Sequence, residues 1–287
     1  MVPASFQNAI TEIDFSVNRR NTILEVELAD LSKLVLRSAP FPHVVQLTLN
    51  RLSKRNALSN ELIAELAAAS RAAAQDENVR CVVICGAEGF FSAGADIREM
   101  QQRGFEAIDN QTRRNAWKDI SDFTKPLIAA VDGICYGGGH ELALLADIVI
   151  AGEGATFGQP EINIGILPGD GATQRLTRVV GKSLAMLMIL TGEPIDAATA
   201  LRSGLVAQVV EKGQALPRAL AIAELISRKP PRSTELAKAS VLAAYQTTLD
   251  AGLEFERQAI RYAFTTDDQT EGMNAFFEKR PPKYVGR

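Results

Sequence analysis

Cysteine and histidine are scarce in these 287 residues: three cysteines, Cys81, Cys85 and Cys135, and two histidines, His43 and His140. Cys81 and Cys85 bracket Val82-Val83-Ile84, the pattern of a buried strand rather than a metal knuckle, and the histidines lie far apart. A zinc site built from these residues is not expected, nor any other metal site. A charge excess is also lacking: 31 Lys and Arg against 34 Asp and Glu leave a net charge of -3. Without a basic stripe, no nucleic-acid partner is expected, and an anionic substrate would need a local cluster of positive charge. Long hydrophobic runs are missing as well. The most apolar segment, Ile128 to Ala151, is broken by Asp132, three glycines, Glu141 and Asp147, so no membrane span is expected. The first twenty residues hold Glu12, Asp14, Arg19 and Arg20 and no continuous apolar stretch, so no secretory signal is expected. These absences point to a soluble protein in a reducing, cytoplasmic setting. What is present, 46% hydrophobic and 23% charged residues, suits a globular chain with a sizeable core.

Strand patterns occur at 33–36 and Val44–Leu49, with a turn at Pro40-Phe41-Pro42 between them. Further strands are expected at Val79–Cys85, Ile128–Val131 and Ile148–Ala151. Ser59-Asn60-Glu61-Leu62 reads as a helix start, with Leu62, Ile63, Leu66 and Ala69–Ala73 at helical spacing. Strands alternating with helices give an α/β class. Beyond Ser183 the chain turns to Ala-, Leu- and Glu-rich helix formers at 185–190, 197–200, 216–226, 234–245 and 249–264. The expected division is an N-terminal extension at 1–32, an α/β core at 33–205 and a helical region at 206–287.

Several motifs fail. Gly181-Lys182-Ser183 ends like a phosphate-binding loop, but such a loop needs Gly where Leu176 stands. Gly137-Gly138-Gly139 lacks dinucleotide spacing, and no G-x-S-x-G nucleophile elbow exists. The informative stretch is Ile128 to Asp147, where a strand runs into three glycines and then into helix formers. Backbone N–H groups exposed there suit an oxygen that gains negative charge. Glu141 in the first turn either complements the helix dipole or does chemistry. Phe90 to Ile97 repeats the logic, small residues leading into a helix at Asp96-Ile97, so one N–H from each segment would form an oxyanion hole. Glu161, after Gly158 and Pro160, reads as a loop carboxylate, solvated or functional.

Residues 44–287 resemble the enoyl-CoA hydratase/isomerase, or crotonase, family, and its hydratases most. The resemblance rests on Leu49-Asn50-Arg51 with Asn56-Ala57-Leu58, on Phe91-Ser-Ala-Gly-Ala-Asp-Ile97 and on Gly137-Gly-Gly-His-Glu-Leu142. It continues through Phe157-Gly-Gln-Pro-Glu161, Pro168-Gly-Asp-Gly-Ala-Thr-Gln-Arg-Leu176, Gly181-Lys-Ser-Leu-Ala185 and Glu271-Gly-Met-Asn-Ala-Phe276.

The resemblance implies a spiral of ββα turns followed by helices that build homo-oligomers, trimers or hexamers. It implies hydration of a trans-2-enoyl-CoA thioester to a 3-hydroxyacyl-CoA, as in fatty acid β-oxidation, with no cofactor beyond the coenzyme A of the substrate. The N–H groups of Ala95 and Gly138 would hold the thioester oxygen, while Glu141 and Glu161 handle water and protons. The CoA moiety would lie near Ala57, Ala93, Asp96 and Ile97, with Lys54 or Arg55 at its phosphates and Lys279 reaching a neighbouring subunit's ligand. Isomerases, aromatic hydratase–lyases and an RNA-binding member also belong to the family; the retained glutamate pair favours hydration. His140, Asp132 and Asp170 depart from the usual pattern and bear on acyl specificity. For His140 two roles remain open: a neutral imidazole packed behind the glycine turn, or a group lining the acyl pocket or modulating the glutamates and titrating near pH 6.5.

Overall fold

Alternation with period two organises the large sheet, and two cores result from it. The computed structural model describes residues 33–287, and the expected N-terminal extension lies outside the described residues. The strands are β1 (Val35–Phe41), β2 (Val44–Leu49), β3 (Cys81–Gly86), β4 (Leu127–Val131), β5 (Ile134–Tyr136), β6 (Ile148–Gly152), β7 (Thr156–Gly158), β8 (Ile195–Asp196) and β9 (Gln208–Val210). A six-stranded sheet runs β1-β2-β3-β4-β6-β9, parallel from β2 onward, and a three-stranded sheet runs β5-β7-β8. Val45, Leu47, Leu49, Val82, Ile84, Ala129 and Val131 enter the larger core. Their neighbours Val44, Cys81, Val83, Cys85, Ile128 and Ala130 enter a second core on the opposite face. A parallel sheet buried on both faces explains why these strands read as continuous apolar runs.

The first strand extends further than the sequence suggested, through Pro40 to Phe41, and the turn falls at Pro42-His43. Pro40 is tolerated because β1 is an edge strand whose register shifts between Ser38 and Phe41. The Asn60–Gln75 helix starts as expected, Ser59 Oγ accepting from Leu62 N at 3.2 Å, and buries Leu62, Ile63 and Leu66. Helices at Gln111–Ser121, Ala172–Val180 and Asp267–Phe277 were not legible, nor were the two- and three-residue strands β5, β7, β8 and β9. The run after the glycines is helical for only six residues, Gly138–Ala143.

The chain advances in repeated steps, each laying one strand in the large sheet, one segment in the small sheet, then a helix. β3 is followed by Ser92, bridged to Cys135, and by the Ile97–Arg103 helix; β4 and β5 are followed by Gly138–Ala143. This is the expected ββα spiral. Beyond residue 205, β9 completes the large sheet, and the Ala215–Ser227 helix lies against the second core. Ala215, Ala219 and Ala223 form its contact stripe, each fully buried, so the helix axis approaches the sheet closely. The following helices, Pro231–Ala243, Leu249–Ala263 and Asp267–Phe277, bury few residues of their own. Ala219→Leu should overpack the stripe and lower stability by about 1–3 kcal/mol. Urea denaturation would show it as a lower midpoint at unchanged slope.

Candidate active site

The short sheet sets the site by counting. Ser92 bridges Cys135, and Cys135 is the register partner of Phe157, all in parallel. Three residues beyond each member lie Ala95, Gly138 and Pro160. Successive steps of the spiral therefore deliver these positions side by side. The N–H groups around them are engaged: Gly94 donates to Ser92 Oγ at 3.2 Å, Asp96 to the Leu58 carbonyl at 3.1 Å, and Gly137 to the Gly158 carbonyl at 2.9 Å. The N–H groups of Ala95 and Gly138 have no acceptor among the described residues. They are neighbours, since a side-chain carbon built on Gly138 would lie 3.6 Å from the Ala95 nitrogen. Both line a cavity of ≈ 500 Å³. Gly137 has φ 51, and a Cβ there would come within 2.9 Å of Glu161 Oε1, so only glycine fits beneath that carboxylate.

Glu141 projects from the Gly138–Ala143 helix with 2% of its surface exposed. Its Oε1 accepts from the N–H groups of Asp170, at 2.8 Å, and Ala172, at 3.0 Å. Gly171 between them has φ +119 and lies against the Arg175 guanidinium, leaving no room for a side chain. Burial pushes the Glu141 carboxyl up to about 7. The Ala172 and Asp170 N–H groups pull it down, and the charges of Asp170 and Glu161 add to the rise. Glu161 stands at the start of a 3-10 turn, Pro160–Ile164, rather than in an open loop. Burial raises its carboxyl too, with Asp170 adding to the shift. Asp170 is likewise raised by burial and lowered by its ion pair with Arg113, while Arg175 Nη1 donates to the Asp170 carbonyl at 3.0 Å.

Of the residues singled out from sequence, Ala93, Ala95, Asp96, Ile97, Gly138, Glu141 and Glu161 line this cavity. Lys54, Arg55, Ala57 and Lys279 are not on its wall. Lys54 and Arg55 are exposed, Arg55 over the Phe90 ring at 6.0 Å; the Ala57 carbonyl accepts from Arg51 Nη1 at 3.0 Å; Lys279 is exposed near the chain end. Asp96 caps the Ile97–Arg103 helix through Arg98 N and Glu99 N and pairs with Arg51 at 2.7 Å. His140 is fully buried and off the cavity wall, and desolvation pushes it down to about 4. The expectation of a pocket-lining imidazole is corrected by this placement behind the wall. Asp132 accepts from Gly213 N at 2.9 Å and does not line the cavity either. Sequence reading missed Arg113, Arg175 and Gln159. Asp170 stood out as a departure, but its partners come from helices 57 residues before it and five residues after it. Among the described residues, no group of three or more His, Cys, Asp or Glu is placed to share a metal ion. None of their helices is long and apolar enough to cross a membrane.

The raised Glu141 carboxyl has a consequence for stability. Its folded value near 7 exceeds the ordinary 4.5, so the native state binds this proton more tightly than the unfolded chain. The contribution is full below about pH 4.5 and lost as pH rises to about 7, amounting to roughly 3 kcal/mol at most. Glu141→Gln keeps an oxygen for both N–H donors and removes the charge. Its stability relative to wild type should therefore improve between pH 5 and pH 8 in chemical denaturation. An unchanged difference would contradict a buried, raised carboxyl.

The chain is similar to known proteins over most of its length. The family model described as enoyl-CoA hydratase/isomerase matches residues 42–287. A 2,3-dehydroadipyl-CoA hydratase of Escherichia coli (strain K12) is 46% identical over 244 residues, 85% of this chain and 96% of that protein. The mitochondrial enoyl-CoA hydratase of Pongo abelii is 44% identical over 236 residues, 82% of this chain and 81% of that one. The crystal structure of an enoyl-CoA hydratase from Bacillus anthracis superimposes with a TM-score of 0.85 at 37% identity, covering 89% of this chain and all of that one. With its two sheets, its facing N–H groups and its two cavity glutamates, the chain belongs to the enoyl-CoA hydratase/isomerase (crotonase) family and is an enzyme of its hydratase type.

Proposed function

We propose that this enzyme adds water across the 2,3 double bond of a trans-2-enoyl-CoA thioester to give a 3-hydroxyacyl-CoA. One observation carries the reading: two N–H groups without acceptors among the described residues, the buried Glu141 carboxylate and the half-buried Glu161 carboxylate converge on a single cavity. The water oxygen bonds to C3, a carboxylate takes the water proton, and C2 receives a proton from the other. Between these events charge accumulates on the thioester oxygen, where the Ala95 and Gly138 N–H groups stabilise it. Losing one such donor typically costs about 10²–10³ in rate. Burial disfavours ionisation of both Glu141 and Glu161, and the charge of Glu161 adds to the rise of Glu141, so together they hold one proton and supply both an acid and a base. The thioester stays intact and no electrons are transferred, so coenzyme A enters only as part of the substrate.

The acyl group fits the apolar part of the cavity, formed by Met100, Phe105, Ile108, Ile164, Ile166 and Leu167. Fatty acid β-oxidation is a setting that supplies such thioesters. The test is incubation with short, long and aromatic enoyl-CoA thioesters and with a 2,3-dehydroadipyl thioester, the acyl group in the name of the Escherichia coli relative. Loss of conjugation and a product heavier by one water support hydration. A shifted double bond or a released aldehyde would indicate an isomerase or a hydratase–lyase instead. Glu141→Gln and Glu161→Gln should each lower kcat by about 10²–10⁴ with the fold intact. The double variant should fall well short of the product of the two losses. More than about half the wild-type rate in either single variant would remove that residue from the acid–base pair.

A homo-oligomer, trimeric or hexameric, completes the proposal. Val241, Leu249, Phe264, Phe276 and Phe277 are exposed on the C-terminal helices or, for Phe264, just beyond one, the last two at 79% and 80%. An apolar surface of this kind marks an interface. Sedimentation velocity should give three or six times the mass of one chain. A well-behaved monomer at micromolar concentration would contradict the assembly.

A further inference from the structure

Behind the cavity wall, buried polar side chains meet that the hydration step does not itself employ. His140 and Gln159 are both fully buried. His140 Nδ1 lies 3.1 Å from one end of the Gln159 amide, and the other end lies 3.1 and 3.2 Å from the two Glu161 carboxylate oxygens. An amide has a donor end and an acceptor end, and its neighbours decide which faces where. With its nitrogen toward His140, the amide would set its oxygen against two carboxylate oxygens, acceptor against acceptor. The imidazole would then bury an Nε2–H with no partner, since Nε2 meets none. With its oxygen toward His140, the ring donates Nδ1–H to the amide and the amide N–H group donates to Glu161. Only the bare Nε2 lone pair is then left over. The second arrangement gives the ring nitrogen donor and the amide nitrogen each an acceptor.

We propose that His140 is a positioning residue: by donating Nδ1–H to the Gln159 oxygen, it turns the amide N–H group onto Glu161 and fixes that carboxylate beside Glu141. The Phe157 ring, 5.6 Å from the imidazole and tilted by 58°, holds the ring in place. Burial depresses His140 to about 4, outweighing a hydrogen bond to the Gly158 backbone that raises it, and keeps the ring neutral, as this tautomer requires. Glu161 also faces Glu141 from the Gly138–Ala143 helix and Asp170 from the following loop, while Arg113 and Arg175 are engaged by Asp170. Donation to both oxygens favours ionised Glu161, leaving the shared proton on Glu141, whose Oε1 is occupied by two N–H groups. Glu161 then takes the proton of the attacking water and Glu141 supplies the proton at C2. This assignment rests on the hydration reading; the hydrogen-bonded relay does not.

Two measurements on the whole enzyme test it. In the resting wild-type protein, ¹⁵N NMR of His140 should show the Nδ1–H tautomer, and an Nε2–H tautomer would overturn the proposal. Titration of the Glu161 carboxyl carbon by ¹³C NMR should give a midpoint about one pH unit higher in Gln159→Met and in His140→Leu. The acid limb of kcat should move up by the same amount, with KM changed less than about threefold. His140→Asn, which keeps an N–H donor near the Nδ1 position, should restore both readouts. An unmoved midpoint in Gln159→Met, or His140→Asn as impaired as His140→Leu, would overturn it. If His140→Leu does not fold, the wild-type tautomer and Gln159→Met decide. A wild type inert toward every enoyl-CoA thioester would sink the hydration reading while these resonances still decide the relay.

Discussion

The pairing of Ser92, Cys135 and Phe157 is the constraint on which the site depends. All three are fully buried, so a one-residue slip would carry core side chains to the other face and swing the following N–H groups away. The sheet that holds them is small, with three residues in β5 and three in β7, and cannot hold register alone. The remaining anchorage comes from polar side chains packed inside. Asn56 is fully buried; its oxygen accepts from Arg51 N at 2.9 Å and its nitrogen donates to the Phe90 carbonyl at 2.9 Å. Ser92 Oγ donates to the Asn56 carbonyl at 2.8 Å. These bonds tie the 51–58 loop to the segment that presents Ala95. The N–H pair is thus preorganised by hydrogen bonds whose loss would leave buried groups unsatisfied.

Electrostatics follow from the same geometry. Glu141, Glu161 and Asp170 are all raised by burial, an unfavourable arrangement that water would relieve. It persists because every one of them has fixed partners. Asp170 has Arg113 on its carboxylate and Arg175 on its carbonyl, and its own N–H, with that of Ala172, supports Glu141. The loop therefore binds the first glutamate with backbone while its side chain charges the space beside the second. Burial first, with the charge of Asp170 adding to it, keeps both carboxylates easy to protonate.

Legibility in the sequence divided along these physical lines. The central strands β2, β3, β4 and β6 were readable because each alternates between two apolar cores, and the Ser59 cap announced its helix. The glutamates and small-residue turns were visible as residue types, and their resemblance to a family joined them into one site. Arg113, Arg175 and Gln159 were not readable, because a charge or amide on a polar segment looks the same whether it faces solvent or a buried carboxylate. The short strands carry too few residues for a period to emerge. His140 shows the limit most plainly: its neighbour Glu141 points into the cavity, yet one residue along a helix turns a side chain about 100° away, here into the core.

Rigidity is distributed unevenly around the cavity, and the distribution matches the division of labour. Ala95, Gly138 and Glu141 sit on elements locked by sheet register and buried hydrogen bonds. The opposite wall is built from Phe105 and Ile108, at and just beyond the 3-10 turn Gly104–Ala107, and from Leu167. These three are 77%, 54% and 68% exposed. In that turn only Ala107 is buried. Few buried contacts mean a low cost of local rearrangement, so this wall adapts to what enters while the N–H donors do not move. Transition-state stabilisation needs donors that are already in place, whereas an acyl group needs only apolar cover. The chain has put its strictest register where charge develops and its loosest packing where shape is accommodated.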